Sequence, residues 1–385
     1  MNRQIKIQLL FFTLVRTVLN TMYRMVYPFL SVFARGVGVE ISAMATALTA
    51  RSLAGTLGPF LASIADSRGR KAGMLFGLGL FVAGVSLVVF WPSFLTLTIA
   101  VVLATLGKYN FDPSMQAYLG ERIPYQRRGL SIAITELGWS LAFIAGIPLV
   151  GFLIARGGWM SPFVLLGILG ILSAAGVFLL IPADAPQTSE AAALLHNFRQ
   201  VLTHRPSLAG LAAGLLATAA NEMVNLIFGV WLEDSFGVKI TALVAASAVI
   251  GISELGGEGL VARWTDRLGK PRAIALGLLA NTLAALGLPL AGQSQSGALI
   301  GLFFFYITFE FTLVSMISMM TEIQPAARAT LMAFNVAGHS LGRAVGDALA
   351  ISIYALGFFW VVAASVIFNM LAFISVWWLR RHAPI

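Results

Sequence analysis

The amino-acid sequence predicts an all-helical membrane protein of twelve transmembrane helices arranged as two similar six-helix bundles. Three observations carry this. Of the 385 residues 58% are hydrophobic and only 11% charged, against about 25% charged in soluble domains. The apolar residues come in runs of roughly 20, each long enough to cross a hydrocarbon core of about 30 Å as a helix. Finally, the second half repeats features of the first at an offset of about 200 residues.

The expected spans of the first bundle (1–181) are 7–33, 43–65, 72–91, 94–119, 129–155 and 160–181. Those of the second (207–385) are 207–232, 240–263, 273–291, 297–320, 328–354 and 357–379. Between the bundles, 182–206 is the one long polar connection. Leu194, Leu195, Phe198, Val201 and Leu202 fall there at helical spacing, as in an amphipathic helix on the membrane surface. His196 and His204 lie in this stretch and read as interfacial side chains rather than metal ligands.

The formal charge of +9 would suggest nucleic acid in a soluble protein, but the Lys and Arg residues sit in loops. The face bearing both termini collects Arg3, Lys6, Arg380, Arg381 and the basic residues of 66–72, 121–128, 199–206, 263–272 and 322–328, whereas the other loops hold only Arg35, Arg156 and Lys239. Basic residues are retained on the cytoplasmic side, so both termini are expected there and no nucleic-acid partner is implied. There is no cysteine, which excludes disulfides and thiolate chemistry. No phosphate loop, metal-spaced cluster or nucleophile triad is evident, so neither an enzyme nor a metal or organic cofactor is expected.

The repeat is specific. A shift of 200 residues superposes 65–71 on 265–271, pairing Asp66 with Asp266, Gly69 with Gly269 and Arg70 with Lys270. The same shift pairs Arg128, Ala133, Gly138, Ser140, Leu141 and Gly146 with Arg328, Ala333, Gly338, Ser340, Leu341 and Gly346. A third block, GVEISA at 38–43 against GVKITA at 237–242, keeps the order. Glu121 and Pro124 before the fifth helix match Glu322 and Pro325 before the eleventh. In each, Pro starts a helix and the following Arg can pair with nearby acids. Three blocks in one order imply a duplicated six-helix unit.

These motifs resemble the major facilitator superfamily over the whole length. The segment ASIADSRGRK at 62–71 resembles that family's loop signature G-x-x-x-D-x-x-G-R-[KR], with Asp66, Gly69, Arg70 and Lys71 in place and Ala62, like Ala262, where Gly is usual. By this resemblance Asp66, Gly69, Arg70, Lys71, Asp266, Gly269, Lys270, Glu121, Arg128, Glu322 and Arg328 form a cytoplasmic gate, and the protein is placed in a bacterial inner membrane as a monomer. The segment GWSLAFIAGIPLVG, with Gly138, Gly146, Pro148 and Gly151, resembles the fifth-helix G-P-x-x-G pattern of proton-driven exporters, with Ile147 inserted. Those exporters' fourth-helix Arg is absent, Leu103 standing four residues before Gly107. A kinked helix at a packing seam is the other reading of this segment.

Ionisable groups at membrane depth are costly and point to function. Here they are Arg16, Arg24, Arg51, Lys108, Arg343, Asp112, Glu136, Glu222, Glu254, Glu258, Glu310, Asp347 and His339. Helices 3, 6, 9 and 12 carry none, as expected if the other helices share a polar cavity. Arg16, Asn20 and Arg24 share a face of helix 1, and Lys108 and Asp112 a face of helix 4. Asn221 and Asn225 flank Glu222 on helix 7; Asn335, His339, Arg343 and Asp347 recur every four residues on helix 11. The first half is richer in bases and the second in acids, which would suit a substrate carrying both charges. Glu222, Glu310 and Glu136 lack a base one turn away on their own helix and are candidate proton carriers. Asp112, beside Lys108, and His339 complete that set. The expected activity is alternating-access transport driven by a proton gradient, exporting a small organic or amphiphilic solute. A proton symporter or facilitator taking up a polar metabolite, a lipid flippase and a nontransporting receptor are the alternatives.

Overall fold

The computed structural model describes residues 3–58, 69–182 and 198–382, almost all helical and with no strand among the described residues. The chain divides into two compact units, Met1–Ser189 and Glu190–Ile385.

Unit 1 opens with α1 (Arg3–Arg24) and α2 (Leu30–Val37), where the sequence suggests one helix over 7–33. Pro28 explains the break: it has no N–H to donate, and its ring clashes with the carbonyl one turn back. Met25 N still donates to the Thr21 carbonyl at 2.9 Å, and the helical ladder resumes with Phe33 N to Phe29 at 2.9 Å. Then follow α3 (Ile41–Gly55), α4 (Arg70–Phe90), α5 (Phe94–Arg122), α6 (Tyr125–Leu141), a π-turn at Ala142–Gly146, α7 (Ile147–Gly157) and α8 (Ser161–Leu180). The π-turn lies just before Pro148, where one wide turn accommodates the missing donor.

Unit 2 comprises α9 (Arg205–Phe236), α10 (Ile240–Leu268), α11 (Lys270–Ala291), α12 (Gln295–Ile323), α13 (Arg328–Tyr354) and α14 (Phe358–His382). Of the surface segment expected at 182–206, residues 183–197 lie outside the described residues. A helical stretch covers 198–203, and it packs on its own unit: Phe198 meets Phe334 edge-on at 5.0 Å, and Val201 is buried with Met320, Ala327 and Leu331.

Among the described residues ten helical stretches are long and apolar enough to span a membrane, and eleven when α2 and α3, bent by 109°, count as one span. The remaining one, α13, has 27 residues, or about 40 Å at 1.5 Å per residue. It carries the stripe Asn335, His339, Arg343 and Asp347, and it completes the twelve.

The repeated glycines have backbone reasons. Gly38 and Gly237 end α2 and α9 with φ of 73° and 58°, and Gly69 and Gly269 precede α4 and α11 with φ of 97° and 79°. Side chains resist these left-handed conformations. Other glycines let helix backbones touch, which matters because lipid supplies no hydrophobic force between helices. A Cβ on Gly77 would stand 2.5 Å from the Gly107 carbonyl, and one on Gly107 2.4 Å from that of Gly77. That contact joins α4 to α5. In unit 2 a Cβ on Gly342 would meet the Leu215 carbonyl at 2.2 Å, holding α13 to α9. Asn281 of α11 donates to the Phe305 carbonyl at 2.7 Å and accepts from Asn369 of α14 at 2.8 Å, a buried amide link among three helices.

Candidate functional site

Each unit buries its own polar cluster. In unit 1 the α1 face of Arg16, Asn20 and Arg24 is pressed against α6 by glycine: a Cβ on Gly138 would lie 2.9 Å from both the Arg16 Cβ and the Thr13 carbonyl. Arg16, 4% exposed, reaches Asp112 of α5 with Nε at 3.1 Å and Glu136 of α6 with Nη2 at 2.9 Å. Lys108 pairs with Asp112 one turn along α5, and Gln116 donates to Glu136 at 3.3 Å. Two bases and two acids thus make one network, buried at Arg16, Lys108 and Asp112 and open at Glu136, whose side chain is 39% exposed. Glu136, which has no basic neighbour along its own helix, has one from α1.

The other two bases are held by aromatic groups and carbonyls. Arg24 donates to the Trp139 carbonyl at 3.1 Å and lies 4.2 Å from the Trp139 ring centre and 3.5 Å from that of Phe143. Arg51 of α3 donates to the Tyr23 carbonyl at 3.0 Å and the Tyr27 hydroxyl at 2.6 Å. Tyr23 and Trp139 are 6.1 Å apart, with Arg51 4.3 Å from Tyr23 and the Lys108 amine 5.7 Å from Trp139. Cations over aromatic faces are favourable, more so when desolvated. An aromatic pair therefore stands among three cations. Asn20, 1% exposed, sits on the same α1 face, with neither side-chain amide atom bonded among the described residues. Such an orphaned amide is what a polar ligand would satisfy. Sequence spacing does not single out Trp139, Tyr23 or Tyr27; the available signal is aromatic residues next to, or three or four residues from, the intramembrane charges.

In unit 2, Glu222 of α9 is 1% exposed. Its Oε2 accepts from Asn225 Nδ2 at 3.3 Å, and Asn225 Oδ1 accepts from the Tyr306 hydroxyl at 2.8 Å. Among the described residues Glu222 Oε1 has no hydrogen-bond partner, nor does the neighbouring Asn221 Oδ1. Gly346 of α13 fits against this acid, since a Cβ there would come within 2.5 Å of Glu222 Cβ. Asn335 and His339 face α9 near Gly214, His339 Nε2 lying 2.9 Å from where a Gly214 Cβ would be. Asp347 is buried and Arg343 half-buried. Glu310 of α12 packs against Gly257 of α10, whose Cβ would meet that of Glu310 at 2.7 Å. Glu254, three residues earlier, is buried, and Glu258 is half-buried. Among the described residues no group of three or more His, Cys, Asp or Glu is arranged to hold a metal ion.

The loop residues fall into a matched pair of bridges. Arg70 Nε meets Glu121 Oε1 at 3.0 Å in unit 1, and Lys270 pairs with Glu322 in unit 2. Lys71 donates to the Phe178 carbonyl at 2.7 Å. Arg328 Nε donates to the Thr321 carbonyl at 2.8 Å. Asp266 is exposed, while Asp66 and the side chain of Arg128 lie outside the described residues.

Twelve spans, duplicated halves and charges buried within each half define a membrane transport protein. Residues 12–327 match the Major Facilitator Superfamily, and the chain belongs to that superfamily. It is therefore an integral multi-pass membrane transporter for a small molecule. It is 24% identical to the inner membrane transport protein YdhP of Escherichia coli K12, over 92% of this chain and 91% of that one. It is 23% identical to the uncharacterized MFS-type transporter YceJ of Bacillus subtilis 168, over 80% and 79%. Both relatives are named as transporters. Two solved structures share the fold. One is a bacterial homologue of the human lysosomal transporter Spinster, inward-facing and occupied, with a TM-score of 0.78 at 17% identity over 99% of this chain and 98% of that one. The other is the peptide transporter POT in complex with alafosfalin, with a TM-score of 0.80 at 14% identity over 98% and 95%.

Proposed function

We propose that the protein is a proton-coupled secondary transporter that exports a small organic or amphiphilic solute by alternating access, from a bacterial inner membrane in which both termini are cytoplasmic. The observation that carries proton coupling is Glu222. It is buried, one oxygen is bonded to Asn225 and, among the described residues, the other has no hydrogen-bond partner, so protonating it would break no ion pair seen there. Asp112 and Glu136 differ, because each holds Arg16. Glu310 and His339 are the further candidate carriers. The solute contacts proposed in unit 1 are Lys108, Arg24, Asn20 and Trp139, whose charges and ring suit an amphiphile with an anionic group. Export is favoured by the likeness of the Gly146 to Gly151 segment to that of proton-driven exporters. In this chain the segment begins at the last residue of the π-turn and continues as α7, and a Cβ on Gly146 would stand 2.0 Å from Thr21 Oγ1.

The test is reconstitution in liposomes with an imposed pH gradient, reading proton movement while solutes are screened. Solute-dependent proton flux, lost in Glu222→Gln while solute exchange continues, is expected. Pumping that proceeds unchanged in Glu222→Gln removes this residue as carrier, and solute flux indifferent to the gradient refutes proton coupling altogether. Solute movement in the same direction as the protons would make the protein a symporter.

A further inference from the structure

Unit 2 contains a groove that the transport reading does not use. Between α10, α11 and α12 lies a cavity of about 600 Å³ walled by Leu260, Leu276, Ala280 and Phe311, with Trp264 and Arg267 also in its lining. The Thr308 hydroxyl, also in the wall, is turned to its own helix and donates to the Phe304 carbonyl at 2.7 Å. The surface that the groove presents is almost wholly apolar, and Arg267, at its end, is the one charged residue of the lining. The groove opens outward, Trp264 being 47% and Leu276 53% exposed. Large apolar residues exposed on a membrane-spanning helix face lipid.

Depth and charge identify the occupant. Along α11 the groove reaches Ala280, ten residues from the start of the helix at Lys270, or about 15 Å at 1.5 Å per residue. That is half of a hydrocarbon core of about 30 Å, one leaflet. Arg267 lies in the last turn of α10, where a lipid headgroup would be, and Trp264 has the amphipathic ring that favours this interface. Arg263 and Arg272 are exposed nearby along the chain, as is Asp266, so the stretch at the end of the groove is basic on balance. Lys270 is engaged by Glu322. A guanidinium grips a phosphate through parallel hydrogen bonds, and basic pockets between spanning helices on the cytoplasmic side recognise anionic headgroups.

We propose that this groove is a binding site for an anionic phospholipid, one acyl chain lying between α10, α11 and α12 and the phosphate on Arg267. The site is independent of the transported solute and of proton coupling. It is tested by native mass spectrometry of the purified full-length protein titrated with phosphatidylglycerol, phosphatidylcholine and diacylglycerol of identical acyl chains. Phosphatidylglycerol should be retained roughly tenfold more tightly than phosphatidylcholine, the ratio that about 1.4 kcal/mol produces. Arg267→Gln should abolish that preference, and Arg263→Gln, outside the groove lining, should keep it. Ala280→Phe, which fills the groove, should lower retention of both phospholipids. Equal retention of the two phospholipids, or a preference that survives Arg267→Gln, overturns the proposal. Diacylglycerol held as tightly as phosphatidylglycerol does so too, and would make the groove a site for neutral apolar molecules.

Discussion

Replacing Asp112 by Asn probes the buried network of unit 1 most directly, because the structure assigns unequal consequences to its neighbours. Asp112 is 8% exposed and Lys108 7%. Among the described residues Asp112 is the one carboxylate paired with Lys108, whereas Arg16 keeps Glu136 at 2.9 Å when Asp112 is neutralised. The substitution therefore strands Lys108. Removing one partner of a buried pair costs about 3–5 kcal/mol, and at about 1.4 kcal/mol per factor of ten the folding equilibrium should fall by a hundredfold or more. Lys108→Met leaves Asp112 bonded to Arg16 and should cost much less. The double variant removes the stranded cation and should lose only the Arg16 to Asp112 bond, about 1.5–3 kcal/mol for a hydrogen bond between charged groups. Adding Lys108→Met to Asp112→Asn is thus expected to recover stability. Equilibrium unfolding in mixed micelles with rising SDS, followed by circular dichroism, measures all four proteins. If the second substitution recovers nothing, with a coupling below about 0.5 kcal/mol, the reasoning is refuted.

Other positions test helix contacts. Gly77→Ala and Gly107→Ala each put a methyl within 2.5 Å of a facing carbonyl and should cost about 1–3 kcal/mol. Gly79→Ala, two residues from the first and with nothing within 4 Å, should stabilise by about 0.4–1 kcal/mol. Asn369→Leu removes the 2.8 Å bond to Asn281 and should lower unfolding stability by about 0.6–1.7 kcal/mol, the range for hydrogen bonds between membrane helices; no change would mean that Asn281 finds another donor. Glu121→Gln and Glu322→Gln break the paired loop bridges, whose acids are 38% and 50% exposed. Each should cost less than about 1 kcal/mol, and less still in 1 M salt, where screening acts over about 3 Å; a larger, salt-independent loss would place these bridges away from water.

The parts of the fold readable from sequence are those governed by properties local to the chain. Apolar runs of membrane length mark the spans, and Pro148 marks where the fifth departs from regular helix, whereas the first, expected as one helix over 7–33, is broken at Pro28. The repeated glycines are legible for the same reason. Gly38, Gly237, Gly69 and Gly269 occupy backbone conformations that side chains resist, so the need for glycine is written at the position itself. Spacing also places Arg16, Asn20 and Arg24 on one face and pairs Lys108 with Asp112, because residues four apart are neighbours on any helix.

The candidate site was only half legible. Which charges lie on membrane helices is plain in the sequence, whereas the partners of Glu222, Asn225 and through it Tyr306, are not. Glu136, equally isolated along its own helix, meets Arg16 from 120 residues away, and Arg24 meets Trp139 across 115. Arg328, expected near acids, bonds a carbonyl. By itself, then, the sequence determined twelve spans, a duplicated unit and an inventory of buried charge. Tertiary structure alone decided which of those charges are paired within their unit. The physical reason is that ion pairing depends on a few ångströms between helices distant in the chain, and those distances follow from where Gly138, Gly342 and Gly346 allow two backbones to meet.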